Sequence, residues 1–454
     1  MSFISVYFVI YVFIVNIVYY SVPVKYRKAV LLSASILYIL LYSKLAAVLM
    51  LAAIVLSYGY GRCFYGNAAW CKSKAALAVV IVLLLMPLIG IRVLSDFIAP
   101  IGLSFYTLSL ISYVSDIYQK KYLPEKNFGQ FLLFASFFPQ SVQGPIARYD
   151  KVSGELFTPH VFCYREFTFG WQMVLWGYFL KFVVADKAGI MVDTVYANCG
   201  EFQGVYLIFA AFLYSIQLYA DFSGCVNIAL GVAQSFGIYL QPNFRQPYLA
   251  DSVQDFWRRW HMTLSTWLRD YVYIPLGGNR KGTFRKYVNI LIVFGISGIW
   301  HGVGLNFLVW GLCHGVFQIV ERFCIIKNKT FERIRTFLMV TFAWMLFRAE
   351  NMGHFLSMLK NMFATFNPEA ILDGDLYYRM GLTRLQTLPL ILGIVLLFVT
   401  DYIHEKKKIS IREKIAKAPM PVRWAVFLLG IMITLVLGTY GPAYAENQFI
   451  YGKF

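Results

Sequence analysis

The chain has 454 residues, a formal charge of +18, 59% hydrophobic residues and only 14% charged ones. So few charges cannot cover a water-soluble surface, where about 25% is usual. The long apolar blocks do not alternate in the way barrel strands do, so a transmembrane barrel is excluded as well.

Taken in chain order, apolar runs predict membrane spans near 4–20, 29–43, 45–60, 75–92, 97–118, 165–185, 203–220, 287–303, 306–320, 334–349, 385–402 and 423–440. A span needs about 20 mainly apolar residues. No Lys or Arg precedes Lys25, so the first run lacks the basic start of a signal peptide and is expected to stay as a span. Segments 129–145 and 222–275 are apolar but broken by Pro, Gly, Asn, Gln and Arg. Such backbone survives at membrane depth only inside protein or beside water, so both are expected to form short buried or re-entrant helices. The expected fold class is all-α: a single polytopic domain over 1–454 with about twelve transmembrane helices plus short re-entrant helices around a central tunnel.

Loop charges give the orientation. Loops 21–28, 61–74, 119–165, 221–286, 321–335 and 403–423 hold 32 of the 41 Lys and Arg residues, and with the N-terminus outside they all fall on the cytoplasmic face. Both termini are then extracytoplasmic. The positive charge reports orientation and contact with membrane lipids, and no nucleic-acid partner is expected. The seven cysteines show no CxxC and no paired spacing, so neither a disulfide framework nor a metal site is expected.

Polar chemistry is concentrated in 102–150 and 219–315. In 254-QDFWRRWHMTLSTWLRDYVYIPLGGNRKG-282, residues Trp257, Trp260, His261, Leu264 and Leu268 follow helical spacing and are expected on one helix face, with Arg258, Arg259 and Arg269 elsewhere around it. A plain interfacial anchor explains the Trp and Arg residues but not His261. The loop 275-PLGGNRKG-282 lacks P-loop spacing and reads as a turn. His301 falls at membrane depth among glycines, where a titratable residue is costly and defaults to function. His314 reads as structural, a histidine hydrogen-bonded between helices. Two histidines with no carboxylate dyad suit acyl transfer to a hydroxyl, one removing the proton while the second His, an amide or an Arg holds the developing oxyanion. His301 is expected as general base or proton shuttle, and His261 to position the thioester carbonyl or steady its charge, roles that the pattern alone does not rank. Trp257, Trp260 and Trp300 would wall the cavity against water.

The motifs 102-GLSFYTL-108, 144-GPIARY-149, 219-YADFSG-224, 243-NFRQPYLADSVQDFWRRWHMTLSTWLRDYVYIPLGGNRKG-282 and 297-SGIWHG-302 resemble the membrane-bound O-acyltransferase (MBOAT) family from about residue 97 to the end. The resemblance is to the bacterial branch of alginate and peptidoglycan O-acetylation proteins and the teichoic acid D-alanine transfer protein. It implies an acyltransferase of the bacterial cytoplasmic (inner) membrane, with a catalytic core over 97–320. The implied reaction moves an acyl group from a cytosolic thioester across the membrane to a cell-surface polysaccharide. Acetyl-CoA or an acyl-carrier thioester is the implied donor, with no bound cofactor and no metal. An extracytoplasmic O-acetyltransferase is the implied partner. The family's near-universal histidine falls on His301 and its second polar position on His261. Asn227 stands where the branch usually has Asp and is given no role. Arg258, Arg259, Arg269 and Arg280 would face the donor's phosphates. The tail 441-GPAYAENQFIYGKF-454 resembles the branch's aromatic C-terminal motif, whose tyrosine is implicated as a transient acyl carrier. The match falls on Tyr451, with Gly452 departing from the usual aromatic. D-alanyl transfer is the alternative within the branch. A solute conduit without chemistry is the alternative outside it, and the two histidines with the family motifs favour the enzyme.

Overall fold

The computed structural model describes residues 1–66, 68–93, 102–141, 144–158, 160–324, 326–365, 367–372 and 376–440, and all regular elements among them are helical. They fall into two compact units interleaved along the chain. Among the described residues, one comprises Met1–Val174 and Cys225–Pro242; the other comprises Leu175–Gly224 and the stretch from Asn243 to Tyr440.

The first unit holds α1 (Val6–Ser21), α2 (Arg27–Tyr42), α3 (Lys44–Tyr65), α4 (Lys74–Val93), α5 (Leu103–Tyr118), α6 (Phe128–Ser136), α7 (Phe138–Ser141) and α8 (Tyr149–Phe157). Helix α9 (Tyr164–Phe179) carries the chain into the second unit. Side-chain oxygens cap the exposed starts: Ser5 accepts from the Phe8 N–H, and Ser43 from the Ala46 N–H. Segment 129–145 forms two short helices, α6 and α7, as its broken pattern predicts, and α7 is buried throughout. Cys63 and Cys71 form a disulfide, contrary to the expectation that the cysteines are unpaired. The chain reverses direction after α3, bringing their Cα atoms to 6.1 Å, a proximity that a spacing of eight residues does not announce.

The second unit continues with a π-helical turn at Leu180–Ala185, then α10 (Asp186–Ala197) and α11 (Val205–Ser235). Next come α12 (Val253–Arg259), α13 (Met262–Leu268), α14 (Thr283–His301), α15 (Leu305–Val320), α16 (Lys329–Arg348) and α17 (Met352–Ala364). The last elements are α18 (Glu369–Leu372), α19 (Leu376–Arg379), α20 (Arg384–Tyr402), α21 (Ile411–Lys417) and α22 (Met420–Leu437).

Five described helices are long and apolar enough to cross a membrane: Lys44–Tyr65, Lys74–Ile91, Val205–Ser235, Arg384–Lys407 and Met420–Leu437. Val6–Ser21 and Leu305–Val320 are apolar but shorter. Leu428, Leu429, Met432, Leu435 and Val436 of α22 are exposed. An apolar face of that kind suits lipid rather than water.

Helix α11 corrects the expectation of a span ending near 220. It continues through Ser235 as 31 helical residues, so 222–235 is not re-entrant. At 1.5 Å per residue it is about 46 Å long, more than the ~30 Å hydrocarbon thickness. It tolerates Gly and Gln there because Gly224, Gly231 and Gln234 are buried in protein. Against its unit-two half lies a buried ion triad: Lys181 Nζ, on the π-helical turn, is 2.8 Å from Asp221 and 2.9 Å from Asp186.

Candidate functional site

The backbones of helices α14 and α15 approach closely at two glycines. A Cβ at Gly298 would meet the Phe307 carbonyl oxygen at 2.3 Å, and one at Gly311 the Phe294 oxygen at 2.1 Å. Only glycine permits this approach, and it fixes two histidines in an aromatic layer. His301, at the end of α14, is 2% exposed. Its ring lies edge-on to Trp310 at 5.0 Å and Phe347 at 5.2 Å, with Trp300 at 4.6 Å. His314, on α15, is fully buried against Trp257 (5.0 Å), Trp310 (5.1 Å) and Trp344 (5.8 Å). Neither of its ring nitrogens has a hydrogen-bond partner among the described residues. Its structural role is therefore aromatic packing, not the interhelical hydrogen bond expected from the sequence.

The single helix expected over 257–268 is broken at His261, which adopts φ 43° and separates α12 from α13. That left-handed backbone is uncommon for a residue with a side chain. Asn243 holds it in place. The Asn243 carbonyl accepts from the Met262 N–H at 3.0 Å. Its Oδ1 accepts from the Thr263 N–H at 3.0 Å and the Thr263 hydroxyl at 2.8 Å. The break parts the expected aromatic face. Trp260 turns into the core between Phe244, Phe256 and Trp344, while Trp257 turns toward α14 and α15. His261 packs edge-on against Phe222 at 4.8 Å and approaches Trp300 at 6.1 Å. His261 and His301 thus share Trp300 as a neighbour.

A cavity of about 490 Å³ opens beside this layer. Trp257, Met262, Leu264, Leu268, Ile290, Val293 and Phe294 form its apolar wall. Among the described residues four cations line it, Arg258, Arg269, Lys286 and Arg322, and no carboxylate does. Clustered charge of one sign on a low-dielectric wall attracts anions. Ser297, also lining it, precedes His301 by one turn of α14, so the cavity reaches to within a turn of that histidine.

Of the residues singled out from the sequence, Trp257, Arg258 and Arg269 line the cavity; Arg259, Trp260, His261, Trp300, His301 and Arg280 do not. Arg259 is engaged elsewhere, with Nε 2.7 Å from Asp255 and Nη1 3.0 Å from Glu405. Arg269 is shared with Asp270 at 2.7 Å. Tyr451 and the tail from 441 lie outside the described residues.

Lys286, Arg322, Ser297 and Asn243 were missed. The first two sit at span ends among many other basic residues, and nothing local says which of those turn inward. The turn after α13 behaves as its composition predicts. Gly277 and Gly278 take φ 104° and 58°, and Asn289 Nδ2 donates to the Gly278 carbonyl at 2.9 Å, drawing Asn279 to the cavity. Glu321, just past α15, caps α12 by accepting from the Val253 and Gln254 N–H groups at 2.7 and 3.2 Å. Burial pushes its carboxyl above the ordinary range, and these two hydrogen bonds oppose the shift.

The sequence model of the membrane-bound O-acyltransferase family matches residues 35–359. A probable alginate O-acetylase of Pseudomonas fluorescens is 32% identical over 86% of this chain and 81% of its own length. The peptidoglycan O-acetyltransferase of Helicobacter pylori is 34% identical over 58% of this chain and 57% of its own length. The teichoic acid D-alanyltransferase of Bacillus subtilis is 28% identical over 52% of this chain and 62% of its own length. The chain thus spans most of the first relative and under two thirds of the other two. It belongs to the membrane-bound O-acyltransferase family and is an O-acyltransferase, which decides for chemistry over a solute conduit.

Proposed function

We propose that this O-acyltransferase takes an acetyl group from a cytosolic thioester and passes it across the bacterial cytoplasmic membrane for O-acylation of a cell-surface polysaccharide. The observation that carries the reading is the graded cavity, with four cations, an apolar wall and a lining serine one turn from His301. That grading matches acetyl-CoA or a phosphopantetheine thioester. Phosphates pair with Arg258, Lys286, Arg322 and, more weakly, Arg269. The pantetheine arm runs along Trp257, Met262 and Phe294, and the thioester lies deepest. All four cations belong to loops that the distribution of basic residues assigns to the cytoplasm. Both termini are then extracytoplasmic. Arg259 is left out of the donor site because its guanidinium already has two carboxylate partners.

His301 acts as general base on the acceptor hydroxyl, in an aromatic surround that limits hydrolysis of the thioester. His261, held in its turn by Asn243, orients the reacting groups from the other side of Trp300. The first acceptor is the Tyr451 phenol. Its proton passes to His301, the phenol oxygen bonds to the acyl carbon, the carbon–sulfur bond breaks, and the thiolate recovers the proton. An extracytoplasmic transferase then collects the acyl group. The acetylating relatives at 32 and 34% identity, against 28% for the D-alanylating one, favour acetyl as the cargo.

The test uses full-length protein in nanodiscs with acetyl-labelled acetyl-CoA, followed by measurement of covalent label. Wild type should take label, while His301→Ala and Tyr451→Phe should not. Wild-type labelling of Tyr451→Phe would remove the carrier role. A wild type that takes label only from a D-alanyl carrier thioester would move the cargo to D-alanine.

A further inference from the structure

Ser297 lines the cavity but has no chemical role in the scheme above, yet its surroundings are unusual for a helical serine. It is 1% exposed, and its Oγ has no hydrogen-bond partner among the described residues. Several other buried helical serines donate to a carbonyl of the preceding turn: Ser35 to Leu31, Ser57 to Ala53, Ser215 to Ala211 and Ser223 to Tyr219 four residues back, and Ser112 to Ser109 three back. Ser297 makes no such bond and instead lines the cavity with Trp257 and Phe294. A buried hydroxyl without a partner is costly unless a ligand completes it.

Its position defines the ligand atom it meets. Ser297 and His301 are i and i+4 on α14, on one face and about 6 Å apart along the axis at 1.5 Å per residue. An acceptor oxygen hydrogen-bonded to the imidazole sits about 3 Å from it, and an acyl carbon in attack position lies about 3 Å further on. A thioester carbonyl entering from the cavity therefore arrives beside Ser297.

We propose that the Ser297 hydroxyl is the hydrogen-bond donor to the thioester carbonyl oxygen, gripping it as it becomes an oxyanion. This rests on the cavity being the donor site. In the transfer step the acceptor oxygen–carbon bond forms and the acceptor proton goes to His301. Charge gathers on the carbonyl oxygen under the Ser297 hydrogen bond. The carbon–sulfur bond then breaks, and the departing thiolate takes the proton. The Ser297 proton never leaves its oxygen. A preorganised donor at a developing oxyanion acts mainly on the rate.

The experiment measures thiol release from acetyl-CoA and equilibrium acetyl-CoA binding, with full-length protein in nanodiscs. Ser297→Ala should slow kcat by about 100-fold with KM and the melting temperature nearly unchanged. Ser297→Thr, which keeps a hydroxyl, should recover most of the rate. Wild-type turnover in Ser297→Ala, alongside weakened binding in a variant neutralised at Arg258, Lys286 and Arg322, would overturn the Ser297 role and leave the cavity reading standing. Unchanged donor binding in the neutralised variant would overturn both. Equal loss in the Ala and Thr variants with lowered melting temperature would mark Ser297 as packing only and overturn the proposal.

Discussion

Replacing Arg258, Lys286 and Arg322 together by glutamine should weaken acetyl-CoA binding by about two orders of magnitude. These three cavity-lining cations have no ion-pair partner among the described residues, whereas Arg269 lies 2.7 Å from Asp270. Two unit charges 4 Å apart are worth about 1 kcal/mol in water and about 4 kcal/mol near a protein surface. The rim is partly exposed, so the lower figure applies and three cations supply about 3 kcal/mol. At about 1.4 kcal/mol per tenfold, Kd rises roughly 150-fold. Arg269→Gln should cost only about twofold, because Asp270 already offsets its charge. The measurement is titration of acetyl-CoA into protein in neutral-lipid nanodiscs, where lipid charge does not compete. KM should rise with Kd while kcat at saturation holds, since this binding is common to ground and transition states. Raising the salt to 1 M shortens the screening length to about 3 Å and should erase most of the difference between wild type and variant. A triple variant with wild-type affinity, or wild-type binding insensitive to salt, would refute the electrostatic argument.

The two buried histidines should separate cleanly: His301→Ala loses transfer by about 100-fold or more. His314→Phe keeps transfer and melts within about 1 kcal/mol of wild type, because replacing a buried group that makes no hydrogen bond costs little. The opposite pattern would mean the wrong histidine carries the chemistry. Asn243→Ala should destabilise by about 1–3 kcal/mol, leaving Thr263 donors unmet, and should slow turnover through His261, as read by thermal unfolding and rate assays on one preparation. An unaltered melting curve would show that the turn holds itself. Lys181→Met should cost about 3–5 kcal/mol by stranding Asp186 and Asp221, while adding Asp186→Leu and Asp221→Leu should restore most of it. Failure of the triple variant to regain stability in thermal unfolding would mean the ion triad is needed for more than charge balance.

The membrane class and most helix positions were legible because they depend on local quantities. A run such as 423–440 is apolar whatever surrounds it, and α22 forms there. The burial of His301 is of the same kind: a histidine 14 residues into an apolar run is expected inside, and it is 2% exposed. The motifs around His261 and His301 carried the family in the same way. Short-range chemistry also sufficed for the turn at Gly277 and Gly278, where the backbone takes positive φ.

Contacts made far along the chain decided the rest. Helix α11 runs past 220 because its glycines are packing positions. A Cβ at Gly224 would meet the Gly177 oxygen at 2.9 Å, and one at Gly231 the Gly170 oxygen at 2.4 Å, so residues that break an isolated helix serve a buried one. The helix over 254–268 breaks because Asn243, 18 residues before His261, supplies the hydrogen bonds that its backbone gives up. The Cys63–Cys71 bridge depends on a chain reversal that the spacing does not encode. At the site, charge alone did not distinguish Arg258, which lines the cavity, from Arg259, which is bound to Asp255 and Glu405. Adjacent residues on a helix point about 100° apart, and only the packed neighbours determine which one turns to the cavity.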